Sequence, residues 1–223
     1  MTALRVDHVI YAVRDLDASD KRFSERFGLA SVPGGRHPRW GTANRIIPLG
    51  TTYLELVTVV DQAEAGGSAF GRAVLEAVAQ RDQLLGWAVA TDDIEPIARR
   101  LDLEVAAGSR TKPDGSTLNW RVAGLARAIE AGALPLIIQW DGPSDLHPGA
   151  VAAQHRSRPL GIAWIELTGD ERRLREWLGD VDLPLRIAAG PQSLSAVGIS
   201  TVDGEVVVHR CDAAALEAAG LKE

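Results

Sequence analysis

Two side chains that can bind a metal or transfer a proton lie in strand-like segments far apart in the chain. His8 belongs to the β-branched and aromatic run VDHVIYAV at 6–13, and Glu55 belongs to the run TTYLELVTVV at 51–60. Strand alternation places both side chains on otherwise apolar faces. Burying an unpaired carboxylate costs several kcal/mol, so Glu55 requires a partner: a metal, a protonated His8 or Arg45.

Imidazole nitrogen and carboxylate oxygen together suit zinc, nickel, manganese or iron(II), and the residue types do not select among these metals. Two or three protein ligands would leave positions open for water and for a substrate with two adjacent oxygens. Such a metal would act as a Lewis acid and stabilise an enolate or an oxyanion. Without a metal, His8 and Glu55 could act as an acid–base pair or as anchors for a polar ligand. Both are therefore candidate catalytic residues.

A second group of candidates lies in the Gly/Pro-rich segment between the strand-like runs at 29–32 and 43–50. Arg36, His37 and Trp40 could bind an anionic or aromatic ligand, because loops at the mouth of a curved sheet often carry ligand contacts. His37 could also complete a metal site, whereas the alternative is a surface loop with Trp40 packed beneath it. Asn44 opens the following strand, where its side chain either closes the loop or contacts the substrate.

The composition excludes several classes of protein. The 223 residues include 24 Lys and Arg against 30 Asp and Glu, which gives a formal charge of −6, and 46% of the residues are apolar. This content is typical of a globular protein and not of a disordered chain, and a single cysteine excludes a disulfide scaffold. The acidic balance argues against a nucleic-acid partner, and no apolar run reaches the roughly 18 residues of a membrane span. We expect a cytoplasmic protein with a small-molecule ligand, and a homodimer is left open.

The chain repeats one order of elements. Residues 4–60 read as strand, helix and three strands, and residues 85–142 repeat that order after a helical connector at 62–83. Both copies carry Arg, then Pro, then Gly, then Thr-x-Asn at the start of a strand. Recurrence of turn residues in hairpin loops is the alternative explanation, but it does not account for the ordered series of elements.

The repeats predict the division of the chain. Residues 1–142 should form two paired βαβββ modules, followed by a linker at 143–159 whose Pro-rich composition predicts that its two histidines are solvated. Residues 160–223 should hold a third, compressed module and a C-terminal tail. We expect the strand-like part of this module, 160–209, to extend or cap the sheet of the first two.

A duplicated βαβββ unit that opens with Asp7-His8-Val9 and closes on Tyr53-Leu54-Glu55-Leu56 resembles the vicinal oxygen chelate superfamily, and in particular its glyoxalase-like branch. The resemblance implies an α+β fold in which tandem βαβββ modules form a curved, barrel-like mixed sheet, here with a third shortened repeat. It also implies a divalent metal held by the first and last strands of each module, and no organic cofactor. The implied chemistry is of the lyase, isomerase or dioxygenase type.

Carried over residue by residue, the resemblance assigns His8, Glu55 and Gln139 as metal ligands and puts Gly86 where the second module should have its histidine. Glycine has no ligating side chain, so this ligand set is incomplete. Two hypotheses follow. The first is a metal-dependent glyoxalase-like enzyme acting on a small polar or anionic molecule, which the retention of His8 and Glu55 favours. The second is a metal-free, drug-sequestering binding protein, which Gly86 favours.

Overall fold

The first repeat forms a strand, a helix and three further strands in the computed structural model, which describes residues 4–211. The elements are β1 (Arg5–Ala12), α1 (Leu16–Phe27), β2 (Val32–His37), β3 (Thr42–Pro48) and β4 (Tyr53–Val59). The Asp15 carboxylate caps α1 by accepting hydrogen bonds from the backbone N–H groups of Asp17 and Ala18, both at 2.9 Å. Gly28 ends the helix in the left-handed conformation, at φ 68°.

The second repeat differs from the first by one extra helix. After the connecting helices α2 (Gln62–Gly66) and α3 (Ala69–Gln80), it consists of β5 (Gln83–Ala90), α4 (Glu95–Leu101), β6 (Val105–Thr111), β7 (Thr117–Ala123), α5 (Leu125–Ala131) and β8 (Leu136–Asp141). The sequence prediction has no helix between β7 and β8. The segment LARAIEA consists mostly of good helix formers between Gly124 and Gly132, which both adopt positive φ, and this explains α5.

The eight strands of the two repeats close into one barrel, in the order β1-β4-β3-β2-β6-β7-β8-β5. In each repeat the first strand pairs in parallel with the last, β1 with β4 and β5 with β8. The repeats join where β1 pairs with β5, and where Arg36 of β2 pairs with Thr111 of β6. The predicted α+β fold with a barrel-like sheet is confirmed.

Strand alternation divides the apolar residues between the two sides of the barrel wall. Val9 and Tyr11 of β1 belong to a buried cluster outside the barrel. Ile10, which lies between them, belongs to a second buried cluster inside the barrel, together with Trp120 of β7. Phe70 of α3 joins this inner cluster, so α3 packs against the inner side of the sheet.

The C-terminal unit forms its own four-stranded sheet. It consists of β9 (Pro159–Thr168), α6 (Glu171–Leu178), β10 (Leu185–Ala188), β11 (Ser193–Thr201) and β12 (Gly204–His209), in the sheet order β10-β9-β11-β12. The element order is the same as in the barrel modules, but the strand pairing differs. Here the first strand, β9, pairs with β10 and β11, whereas in each barrel module the first strand pairs with the last. Ile165 of β9 and Leu54 of β4 share the outer cluster, so this sheet covers the outside of the barrel and does not extend its sheet.

The status of this unit as a separate domain stays a prediction, and residues 212–223 of the expected tail lie outside the described residues. Within the described part of the chain, every helix is too short or too polar to span a membrane.

Candidate functional site

The barrel contains a cavity of about 40 Å³ on its inner side. Inward-facing side chains of several strands line it, among them His8 of β1, Asn44 of β3, Glu55 of β4, Arg110 of β6 and Trp120 of β7. A buried water needs roughly 10–15 Å³ of such space, so the cavity has room for about three waters or for one small polar group of a ligand.

His8 and Glu55 share this cavity. Strands β1 and β4 are parallel neighbours, and His8 pairs with Tyr53, two residues before Glu55. Both side chains are buried, with His8 4% and Glu55 6% exposed, and the Tyr53 ring stacks on His8 with 4.5 Å between the ring centroids. The His8 Nε2 atom lies 4.0 Å from Glu55 Oε2, which is too long for a hydrogen bond.

Asp7 fixes the orientation of the His8 ring. The register of β1 against β5 shifts between Val6 and His8, and this irregularity lets the side chains of two consecutive residues meet. His8 Nδ1 lies 2.5 Å from Asp7 Oδ1, and Asp7 Oδ2 accepts hydrogen bonds from Trp140 Nε1 at 2.9 Å and from His147 Nε2 at 3.1 Å. Burial raises the pKa of Asp7, but the hydrogen bonds from His147 and His8 outweigh burial and hold this pKa well below its usual range.

These contacts determine which ring nitrogens carry protons. His147 Nδ1 accepts a hydrogen bond from the Gly149 backbone N–H at 3.1 Å, so the His147 proton lies on Nε2 and is donated to Asp7. His8 Nδ1 faces the Asp7 carboxylate and donates a proton to it in a hydrogen bond, and His8 Nε2 lies at the cavity. The prediction that this linker histidine is solvated is wrong for His147, because its ring is buried against Asp7 and the Tyr53 ring.

Glu55 has an amide as its hydrogen-bond partner, which is none of the three partners that the sequence suggests. Asn44 Nδ2 donates to Glu55 Oε1 at 2.5 Å and lies 3.4 Å from His37 Nε2. Arg45 faces the opposite side of β3, where it donates to Ser31 Oγ at 2.7 Å. Asn44 and Arg45 are consecutive in β3, so strand alternation explains why only the amide reaches Glu55.

His37 is the last residue of β2 and not a loop residue, and its ring is buried at the cavity. Its Nδ1 lies 2.9 Å from Thr42 Oγ1, and its Nε2 lies 3.6 Å from Glu55 Oε1. Burial lowers the pKa of His37 to about 4, although the neighbouring Glu55 carboxylate opposes this effect. His37 is therefore neutral at pH 7.

Trp40 and Arg36, the other two candidates of this segment, lie on different sides of the wall. Trp40 lines the cavity and contacts Phe70, with 5.1 Å between the ring centroids. Arg36 points outward, where its Nη2 lies 2.8 Å from Glu64 Oε2 and its side chain is 51% exposed. The expectation that Arg36 contacts the ligand is corrected by this placement. Its counterpart in the repeated Arg-Pro-Gly-Thr-x-Asn pattern, Arg110, lines the cavity instead.

Arg110 is a cation buried at the cavity, with 5% of its surface exposed. Its Nη1 donates a long hydrogen bond to Asn44 Oδ1, at 3.4 Å. Its Nε is buried and has no hydrogen-bond partner within residues 4–211. Burial lowers the pKa of the guanidinium from 12.5, and the neighbouring Tyr53 and Glu55 oppose this effect. The guanidinium remains charged at neutral pH because its intrinsic pKa is so high.

Aromatic rings form much of the remaining wall. The Trp120 ring lies 6.0 Å from Trp40 and 5.4 Å from Trp140, measured between ring centroids. Trp40, Trp140 and Leu125 of α5 are only partly buried, so the cavity approaches the surface at these side chains. The sequence predicts neither Trp120 nor Trp140 as a site residue, although strand alternation on β7 and β8 could have identified both as inward-facing.

Both barrel repeats and the first part of the second sheet match the sequence pattern of a known family. The glyoxalase-like domain family matches residues 6–181. The chain belongs to the glyoxalase-like domain family. This match confirms the predicted resemblance to the glyoxalase-like branch of the vicinal oxygen chelate superfamily.

Comparison with solved structures gives matches at low sequence identity. A hypothetical protein from Staphylococcus aureus matches with a TM-score of 0.66 at 16% identity, over 92% of this chain and 98% of that chain. Methylmalonyl-CoA epimerase from Mycobacterium tuberculosis matches with a TM-score of 0.44 at 17% identity, over 62% of this chain and 89% of that chain. Methylmalonyl-CoA epimerase from Streptomyces coelicolor, in complex with 2-nitronate-propionyl-CoA, matches with a TM-score of 0.45 at 17% identity, over 62% of this chain and 98% of that chain. No curated protein matches the sequence.

Residues 4–211 of the glyoxalase-like protein do not form the four-ligand metal site that the resemblance implies. Gln139 Oε1 accepts a hydrogen bond from the Ile94 backbone N–H at 2.9 Å, so the predicted role of Gln139 as a metal ligand is corrected: its side chain faces away from the cavity. Gly86 brings no side chain, and one oxygen of Glu55 is bound by Asn44. Among the described residues, no group of three or more His, Cys, Asp and Glu side chains is arranged to hold a metal ion.

Proposed function

We propose that this glyoxalase-like protein binds one end of a small polar or anionic organic molecule in the barrel cavity, and that His8 transfers a proton to or from it. The observation that carries the proposal is the Nε2 atom of His8. It belongs to a buried ring held in place by Asp7, and the ring lines the cavity. In the proposed mechanism Nε2 carries no proton before the ligand binds. The aromatic wall of the cavity suits an apolar part of the same molecule.

The Asp7–His8 pair has the geometry of a general base. Asp7 accepts a hydrogen bond from His8 Nδ1–H, which keeps the proton of the neutral ring on Nδ1. The lone pair of the neutral ring is then on Nε2, at the cavity. When Nε2 takes a proton from the ligand, the Asp7 and Glu55 carboxylates stabilise the imidazolium that forms. Return of this proton to another ligand atom completes an isomerisation. Its transfer to a hydroxyl group that departs from the adjacent carbon as water completes an elimination, with a carbon–carbon double bond left in the product. General acid–base catalysis of this kind contributes roughly 10²–10⁴-fold in rate.

This proton transfer uses groups of the chain alone, so it is compatible with the lyase and isomerase classes that the resemblance implies. The dioxygenase class depends on a redox-active metal. It has less support, because Gly86 and Gln139 remove two of the four superfamily ligands.

Binding without catalysis is the second candidate function, and the same incomplete ligand set favours it. A drug-sequestering protein needs the aromatic wall formed by Trp40, Trp120 and Trp140, and it needs no base. In that case the hydrogen bonds of Asp7 and Asn44 would serve to stabilise the polar residues of the barrel interior.

Solvent exchange of ligand protons distinguishes the two functions. Small 2-oxo acids, 2-hydroxy acids and aldehydes are incubated with the protein in D₂O, and loss of each C–H signal is followed by ¹H NMR. We expect exchange for at least one compound, unchanged by EDTA and slowed about 100-fold in His8→Gln. His209→Gln, at an exposed position of β12, is the control. Saturable binding with no exchange would favour sequestration, and EDTA-sensitive exchange would favour a metal enzyme.

A cytoplasmic location and a homodimer stay predictions. Cell fractionation tests the first, and light scattering of the purified chain tests the second.

A further inference from the structure

Arg110 has the features of an anion-binding group. Its guanidinium is buried at the cavity, and its Nε has no hydrogen-bond partner within the described residues. Guanidinium binds carboxylates through two parallel N–H donors. We infer that Arg110 binds the carboxylate of the ligand, so that the molecules taken into the cavity are small organic acids. This inference rests on the proposed function and names the ligand class for the same site.

The backbone of β2 leaves space for Arg110. A Cβ atom on Gly34 would lie 2.0 Å from Asn44 Oδ1 and 2.9 Å from Arg110 Nη1. A Cβ atom on Gly35 would lie 3.0 Å from Arg110 Cγ. Two consecutive glycines therefore allow the arginine and the asparagine to lie against the strand inside the barrel. The local sequence thus accommodates a long cationic side chain where an apolar one would fill the interior at lower desolvation cost.

Glu55 is the alternative partner for the Arg110 charge. No ion pair within 4.0 Å joins Arg110 to a carboxylate in the described part of the chain; Asn44 lies between the two groups. The Asn44 amide donates to Glu55 and its carbonyl accepts from Arg110, so the amide occupies one side of each charged group. This arrangement leaves the Nε of Arg110 without a hydrogen-bond partner among the described residues. If Arg110 served only as a counter-ion for Glu55, the unpaired Nε would have no explanation.

The size of the cavity limits what enters with the carboxylate. A volume of about 40 Å³ suits a carboxylate and little more, so the rest of the molecule must extend toward the partly exposed side chains of Trp40, Leu125 and Trp140. Arg110 and His8 line the same cavity. A carboxylate held by Arg110 therefore places its neighbouring carbon in the same cavity as His8 Nε2, where a proton next to an acid group can be removed.

Acetate and acetamide test the inference, because they share shape and differ in charge. Both are titrated into ¹⁵N-labelled protein, and the indole N–H resonances of the cavity tryptophans are followed by NMR. We expect acetate to shift these resonances and acetamide not to. Arg110→Gln should weaken acetate binding about tenfold or more, and Arg110→Lys should weaken it less. Arg121→Gln, on β7 and paired with Glu95 at 3.1 Å outside the cavity, should bind acetate like the wild type.

The outcomes separate this inference from the proposed function. If acetamide shifts the cavity indoles as strongly as acetate and Arg110→Gln leaves both unchanged, the carboxylate assignment is overturned while cavity binding stands. Inorganic phosphate that binds at least tenfold more tightly than acetate would also overturn it. If neither probe shifts these indoles at 50 mM, both proposals fail. The wild-type comparison decides between acetate and acetamide even where Arg110→Gln does not fold.

Discussion

Asp7 and His8 are consecutive, and in a regular strand their side chains would lie on opposite faces of the barrel wall. The register shift in β1 brings them together, and the Asp7 carboxylate then takes three N–H donors, from His8, Trp140 and His147. The last two donors are 133 and 140 residues away in the chain. Sequence alternation identifies His8 as inward-facing, but it cannot reveal a bulge or a donor from a distant linker.

Asp7→Asn should reduce both stability and activity. An amide would place an N–H group against at least one of three existing donors, which costs about 1–3 kcal/mol and releases the His8 ring. We expect a lower melting temperature and ligand-proton exchange slowed at least tenfold. Asp92→Asn is the matched control, because its carboxylate pairs with Arg5 at 3.0 Å on the exposed surface. Exchange at the wild-type rate in Asp7→Asn would show that Asp7 does not position His8.

Glu55→Gln should separate charge from shape at the site. The Gln carbonyl can still accept the Asn44 hydrogen bond, so we expect the variant to fold, with stability unchanged or higher by roughly 1 kcal/mol once the buried charge is removed. Proton exchange should slow, because one carboxylate no longer stabilises the His8 imidazolium. Thermal unfolding and exchange NMR measure the two effects, with Glu95→Gln on the exterior as control. A variant that unfolds would show that Glu55 has a structural role.

At the scale of elements, the sequence predicts the strands through β-branched runs and the turns through Gly, Pro and Asn. The sequence alignment of the two repeats places Gln139 of β8 at the position of Glu55 in β4. This alignment is off by one residue, and a shift of one residue moves every side chain of a strand to the opposite face. Ile138 and Trp140 take the inward positions. Helix α5 is missed because its seven residues are too few to show a clear helical period.

Gly35→Ala should disrupt the junction between the two repeats. Gly35 has φ 141°, and a Cβ there would lie 2.0 Å from the Thr111 carbonyl oxygen of β6, the strand that β2 pairs with to close the barrel. We expect a loss of about 1–3 kcal/mol in the free energy of unfolding, from backbone strain and the close contact. Gly86→Ala is the control, since its Cβ would meet no atom within 4 Å. Equal denaturant midpoints for both variants would contradict the described β2–β6 contact.

At the scale of the whole molecule, residues 143–159 do more than connect the barrel to the second sheet. The Gly149 carbonyl accepts a hydrogen bond from the Gly50 backbone N–H at 3.0 Å, and His147 binds Asp7. Further along, His155 binds the backbone of the first repeat. The linker therefore holds the first repeat at several points, which include bonds from the Arg156 and Ser157 backbone N–H groups to the Gly28 carbonyl, and it completes the hydrogen bonds around the candidate base. The Pro-rich composition of the linker predicts a solvated segment. This prediction is wrong for the residues above, because composition does not show which polar groups elsewhere in the chain need a hydrogen-bond partner.

The His155 contact predicts how the stability of the whole molecule depends on pH. Its Nδ1 accepts a hydrogen bond from the Ala30 backbone N–H at 3.0 Å, and burial lowers the pKa of His155 below its ordinary value of 6.5, although the Pro48 carbonyl opposes this effect. The folded protein therefore binds this proton less readily than the unfolded chain. The resulting stability is complete above about pH 6.5 and is lost as the pH falls below it. In His155→Gln, which keeps an acceptor and cannot titrate, the melting temperature should fall less between pH 7.5 and pH 5.5 than in the wild type. His209→Gln should retain the wild-type dependence, and parallel curves for His155→Gln and wild type would exclude His155 as its origin.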